Sequence, residues 1–86
     1  MAGYTITFAA RVEKALLSLP EEIQRRIFEH LQELSQNPFP AGVRKLKNRD
    51  GYRVRVGDYR IIYDVDTKGS LIVVEVIAHR KDFYRR

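Results

Sequence analysis

Apolar and polar side chains alternate from Tyr4 to Phe8 in a β-favouring segment, which predicts a half-buried strand. From Ala9 the period lengthens, and Val12, Ala15, Leu16 and Leu19 fall on one side of a short helix. Ser18-Leu19-Pro20-Glu21 then reads as the start of a second helix. Ser18 is the expected N-cap, Glu21 follows three residues on, and Pro20 fits the first turn, where its missing N–H costs nothing. Along this second helix Ile23, Ile27, Phe28, Leu31 and Leu34 form a continuous apolar stripe, so the helix must cover something apolar. Asn37-Pro38-Phe39-Pro40 ends it, because proline and the residue before proline both resist helical geometry.

Residues 41–51 have no sustained period, many cations and a terminal Asp-Gly; they read as a loop with room for a short strand near Val43 to Leu46. Alternation returns in YRVRVGDYRIIYDV. After a turn at Asp66 to Ser70, the apolar run Leu71 to Ala78 reads as a strand buried on much of both faces, hence central. Within the alternating stretch Gly57-Asp58 is a two-residue hairpin turn. That turn sets the register: Val56 opposes Tyr59, Arg55 opposes Arg60, Val54 opposes Ile61, Arg53 opposes Ile62 and Tyr52 opposes Tyr63. With a side-chain period of two, Tyr52, Val54, Val56, Tyr59, Ile61 and Tyr63 share one face. Arg53, Arg55, Arg60 and Ile62 share the other.

The element order is therefore β-α-α, loop, then three strands. The fold class is α+β: a two-helix hairpin packed on one face of a small, twisted, mainly antiparallel sheet. Eighty-six residues allow one domain, spanning 1–86, with a thin stability margin. A 44% hydrophobic, 31% charged composition is that of a folded chain, not a disordered one. The absence of cysteine excludes disulfides and thiolate metal sites and permits a reducing compartment. No signal-peptide pattern and no membrane-length apolar run are present, so the expected location is cytoplasmic, with no membrane partner. The net charge of +5 is regional. Residues 43–60 and 79–86 hold eleven of the sixteen Lys and Arg but three of the eleven acids, which points to a polyanionic partner.

Two helices cover only one sheet face, so the other presents Arg53, Arg55 and Arg60, with Arg55 and Arg60 directly opposed. Such a like-charge pair costs a few tenths to about one kcal/mol. Either the charges are well solvated or they bind an anion. Guanidinium forks match phosphate oxygens in bidentate fashion and stay charged at any relevant pH, which favours the anion.

The element order, the segment LKNRDGYRVRVGDYRIIYDV and the ending VIAHRKDFYR, with its HRxxxY pattern, resemble the RelE/ParE superfamily of bacterial and archaeal toxins over nearly the whole chain. The resemblance implies a RelE-like fold. For the RelE branch it also implies a ribosome-dependent, metal-independent endoribonuclease that enters the A site and cuts mRNA. Attack of the substrate's own 2′-OH would leave a 2′,3′-cyclic phosphate and a 5′-OH. It further implies a cognate RelB-like antitoxin, the ribosome with its mRNA and rRNA as partners, and DNA contacted only indirectly through the antitoxin complex.

Carried over by position, the resemblance makes Arg53 and Arg55 the paired basic residues of the family's second strand, where well-studied members have lysines. Arg60 matches the next-strand arginine, Arg80 the arginine after the last strand, and Tyr84 the C-terminal tyrosine. His79 occupies a position where other members carry various residues, and related toxins use a histidine near the C-terminus in catalysis. The expected catalytic set is thus Arg53, Arg55, Arg60, Arg80, Tyr84 and His79. Lys45, Lys47 and Arg49 are expected to grip RNA phosphates on the ribosome without regard to sequence. His30, on the polar flank of the second helix, reads as structural or solvated. No cofactor is implied, and two histidines at 30 and 79 offer no metal-ligand spacing. Arginine is a poor general base, which leaves Tyr84 and His79 as the candidates for proton transfer. Two other readings share this fold: a ParE-like inhibitor of DNA gyrase without nuclease activity, and a relic whose arginine face only holds an acidic antitoxin.

Overall fold

The computed structural model describes residues 3–47 and 50–81. Its elements are β1 (Thr5–Phe8), α1 (Ala10–Leu17), α2 (Glu21–Gln36), β2 (Arg44–Lys45), β3 (Tyr52–Val56), β4 (Tyr59–Asp66) and β5 (Leu71–His79). The five strands form one sheet in the order β1-β5-β4-β3-β2. β1 runs parallel to β5, and every other pairing is antiparallel. The α+β reading stands, and β5 lies inside the sheet as its two-sided apolar character requires.

Both helices press on the same sheet face. Val12 and Leu16 of α1 and Ile27, Leu31 and Leu34 of α2 are buried against Val54, Val56, Ile61, Tyr63, Ile72 and Val74. Burying each such aliphatic side chain contributes about 1.5–3 kcal/mol relative to leaving it exposed. The apolar stripe of α2 is narrower than its sequence implies, because Phe28 lies at its margin and is 46% exposed.

The α1–α2 junction differs from the expected capping box. Ser18 does not start α2. It closes α1 with φ −85° and ψ −8°, and its hydroxyl donates to the Ala15 carbonyl at 2.7 Å. Pro20, extended at ψ 146°, precedes the first residue of α2, which has no side-chain cap. Ser18 is still helical in backbone conformation, so its oxygen points back along α1 and not forward to the N–H groups of α2. The junction is braced from α2 instead: Gln24 Nε2 donates to the carbonyls of Leu17 at 3.2 Å and Leu19 at 2.8 Å.

A second anchor holds the start of the long connection after α2. The hydroxyl of Tyr63 donates to the Pro38 carbonyl at 2.7 Å, while Phe39 packs edge-on against Tyr52 with ring centroids 5.1 Å apart. Tyr52 in turn stacks on Tyr63 at 5.9 Å. The segment that leads to β2 is thereby tied to β3 and β4.

Candidate functional site

The β3–β4 register pairs Tyr52 with Tyr63, Arg53 with Ile62, Val54 with Ile61, Arg55 with Arg60 and Val56 with Tyr59, as the Gly-Asp turn dictates. Gly57 has φ +60° and Asp58 has no positive φ; Gly at the first position of a two-residue loop is the chemistry of a type II′ turn. Such a loop makes Val56 and Tyr59 the hydrogen-bonded closing pair. Alternation then leaves Arg55 and Arg60 a non-hydrogen-bonded pair, whose side chains stand closest.

On the face away from the helices, Arg53, Arg55 and Arg60 line one concavity of about 250 Å³ together with Arg44. This lies below the ~300–1,000 Å³ of a typical small-molecule pocket, and four cations surround it. Its dimensions and charge suit a phosphodiester group better than an apolar ligand. Arg55 is further steered by its own turn, its Nε donating to the Gly57 carbonyl at 3.0 Å.

Arg44 was not among the residues singled out from the sequence. It faces Arg53 across the β2–β3 ladder. The signal was present: a strand placed over 43–46 and paired antiparallel with β3 puts Arg44 on the arginine face by alternation alone. The same alternation puts Lys45, opposite Tyr52, on the helix face of the sheet. Lys45 and Lys47 are both exposed and line an adjoining groove of about 660 Å³ with Val43 and Leu46. Arg44 and Arg53 line that groove as well, so they form the wall between the two depressions. Arg49 and Tyr84 lie outside the described residues.

Arg80 is exposed and follows β5 directly, and its backbone N–H donates to the Asp58 carbonyl at 2.7 Å. The hairpin turn that steers Arg55 therefore also holds the backbone of Arg80 at the same end of the sheet. His79 goes elsewhere. It opposes Tyr59, meets that ring edge-on at 5.2 Å, and lines a separate depression beside α1 with Val12 and Leu19. Its Nδ1 accepts the Lys81 backbone N–H at 3.2 Å.

A bulge in β5 is the physical reason for this placement. Ile62 opposes Val76 while Tyr63 opposes Val74, so Glu75 is an extra residue in the ladder. Unbroken alternation from Ile72 and Val74 would put His79 on the arginine face. The extra residue switches Ile77 and His79 to the helix face, and the structure does not bring His79 together with the arginines. His30, on α2, is half-buried. Among the described residues, no three His, Asp or Glu side chains come close enough to hold a metal ion.

A family model described as "ParE toxin of type II toxin-antitoxin system, parDE" matches residues 5–83. Curated relatives match over nearly their full length. Toxin RelG of Mycobacterium tuberculosis is 31% identical, with 96% of this chain and 98% of the relative covered. Putative toxin RelE1 of Methanocaldococcus jannaschii is 30% identical over 95% and 96%. The chain belongs to the RelE/ParE superfamily of type II toxins. Among solved structures, the archaeal RelE–RelB complex from Pyrococcus horikoshii OT3 contains a similar chain, with TM-score 0.82, 37% identity, and 91% and 96% of the two chains covered. Isolated RelE of E. coli, at 20% identity and TM-score 0.79, shares the fold. The arginine-lined sheet face of this toxin-family chain is thus carried on a RelE-like framework. No helix among the described residues is long and apolar enough to cross a membrane.

Proposed function

We propose that this toxin is a ribosome-dependent, metal-independent endoribonuclease that cuts mRNA in the A site. The observation that carries the reading is the convergence of Arg53, Arg55 and Arg60 around one small concavity on the uncovered sheet face. A phosphodiester seated there gains charge as the substrate's 2′-OH attacks phosphorus. The new P–O2′ bond forms as the P–O5′ bond breaks, leaving a 2′,3′-cyclic phosphate and a 5′-OH. Guanidinium groups preorganised around the phosphorane stabilise that developing charge, an effect worth about 2.7–4 kcal/mol for a well-placed donor. Arg80, with its backbone tied to Asp58 at the same sheet end, joins this set.

The proton on the 2′-OH must leave and the 5′-oxygen must gain one. Arginine stays protonated, so neither transfer falls to the arginine set. With His79 turned to the helix side, Tyr84 is the residue of the proposed set assigned to proton transfer. Lys45, Lys47 and Arg49 serve to hold rRNA backbone. The partners are the ribosome with its mRNA and a cognate RelB-like antitoxin, a reading supported by the Pyrococcus RelE relative having been solved with RelB. The compartment is the cytoplasm, and contact with DNA is only through the antitoxin complex.

Mapping mRNA 5′ ends after brief expression tests the reading, with new 5′-OH ends inside translated frames as the expected result. A second reading, inhibition of DNA gyrase, is favoured by the ParE description of the matching family model. Intact mRNA with stalled gyrase and a DNA-damage response would establish that reading. No effect on growth would instead leave a face that only holds an antitoxin.

A further inference from the structure

We propose that Arg44, on the edge strand β2, binds the RNA backbone phosphate next to the scissile one and guides the single strand from the arginine concavity into the adjoining groove. The inference rests on the nuclease reading above and extends it to the path of the substrate.

Arg44 and Arg53 are register partners, so both side chains leave the same face of the sheet. The Leu46 N–H donates to the Gly51 carbonyl at 3.0 Å, which makes residues 46 and 51 a hydrogen-bonded pair. By alternation Arg44 and Arg53 are another, about 5.5 Å apart at Cα. Like charges at that separation repel, and packing gives nothing back: β2 is two residues long and both are exposed. Among the described residues the Arg44 side chain has no hydrogen-bond or ion-pair partner that would offset the repulsion; its pairing with Arg53 is through the backbone alone. An exposed cation held against a second cation, without a carboxylate, is a site whose missing partner is an anion.

The shape of the surface identifies that anion as part of a chain. Arg44 and Arg53 line both the concavity of about 250 Å³ and the groove of about 660 Å³. A free phosphate would fill the first and leave the second empty. A single-stranded polynucleotide with one phosphate among Arg53, Arg55 and Arg60 must leave that concavity across its wall, and the wall towards β2 is Arg44. Beyond it the groove offers Val43 and Leu46 as apolar surface for a base, and Lys47 as a further cation. Double-stranded RNA presents its phosphates on a rigid duplex, so the ligand class is a single strand.

The test compares the full chain with Arg44→Ala and Arg44→Lys. One measurement is cleavage of mRNA on programmed ribosomes; the other is binding of a short fluorescein-labelled oligouridylate across a potassium chloride series. Arg44→Ala should weaken oligouridylate binding on the order of ten-fold, the loss of one charge-assisted contact. It should also lower the slope of log affinity against log salt by about 0.7. Cleavage should show a raised KM with kcat largely kept, and Arg44→Lys should restore the salt slope. Unchanged melting temperature excludes a folding defect.

If wild type cleaves and Arg44→Ala matches it in KM, affinity and salt slope, the Arg44 assignment is wrong while the nuclease reading survives. If wild type neither cuts mRNA nor binds the oligouridylate, both fail. If RNA binding is unchanged but affinity for the cognate antitoxin drops, Arg44 serves an acidic protein segment and the proposal is overturned.

Discussion

Replacing Tyr63 by Phe removes one oxygen from a fully buried ring, and the consequences follow from two features of that ring. Its hydroxyl donates to the Pro38 carbonyl at 2.7 Å, a buried bond across 25 residues of sequence. Phe cannot donate, so the Pro38 carbonyl loses its partner at a cost of about 1–3 kcal/mol. For a domain of this length ~1.5 kcal/mol lowers the melting temperature by roughly 6–12 °C. Burial, reinforced by the neighbouring Tyr52, also raises the Tyr63 pKa from 10.0 to about 12. The folded chain therefore keeps its proton at a pH where the unfolded chain has lost it. This contribution is fully present below pH 10 and is lost between pH 10 and about pH 12. At ~1.36 kcal/mol per pH unit it amounts to roughly 2–3 kcal/mol. The variant has no such titration at position 63. Urea denaturation of both proteins at neutral pH and at steps from pH 9 to 12 measures it, and wild type should be the more stable by an amount that shrinks above pH 10. A variant as stable as wild type at neutral pH, or a difference constant through pH 12, would refute the reasoning.

Three further outcomes are expected. Arg55→Ala should lower the rate of mRNA cleavage on ribosomes by about 10²–10³-fold. It should do so with the melting temperature nearly unchanged, because the side chain is exposed. Gly57→Ala should cost about 1–2 kcal/mol in chemical denaturation, since φ is +60° there. The new Cβ would also sit 3.4 Å from the Arg26 guanidinium, and Gly57→Asn should cost less because Asn tolerates positive φ. Arg80→Ala should reduce cleavage far more than stability, because the bond to the Asp58 carbonyl comes from its backbone N–H and survives truncation; parallel losses of both would make Arg80 structural.

Much of the site was legible because its logic is local. Alternation with period two and the backbone freedom of Gly57 together specify the β3–β4 register, and the register puts Arg53, Arg55 and Arg60 on one face without any reference to other proteins. The helices were legible for the same reason, since an apolar stripe with helical period has only one way to be buried. Their junction was not: the Ser18-to-Glu21 spacing satisfies a capping pattern, but the preference of Ser18 for the end of α1 depends on where the chain turns.

What only the tertiary structure decided are the non-local choices. β1 and β5 are brought together as parallel neighbours from opposite ends of the chain, an arrangement that burial of β5 on both sides requires but that no local pattern specifies. Two residues of β2 find the edge of β3 and carry Arg44 onto the arginine face, although a strand so short has almost no periodicity to read. The bulge at Glu75 reverses the side of every residue beyond it in β5, separating His79 from the arginines. A period-two pattern fixes sidedness only while the ladder stays unbroken, and one extra residue is enough to reverse it.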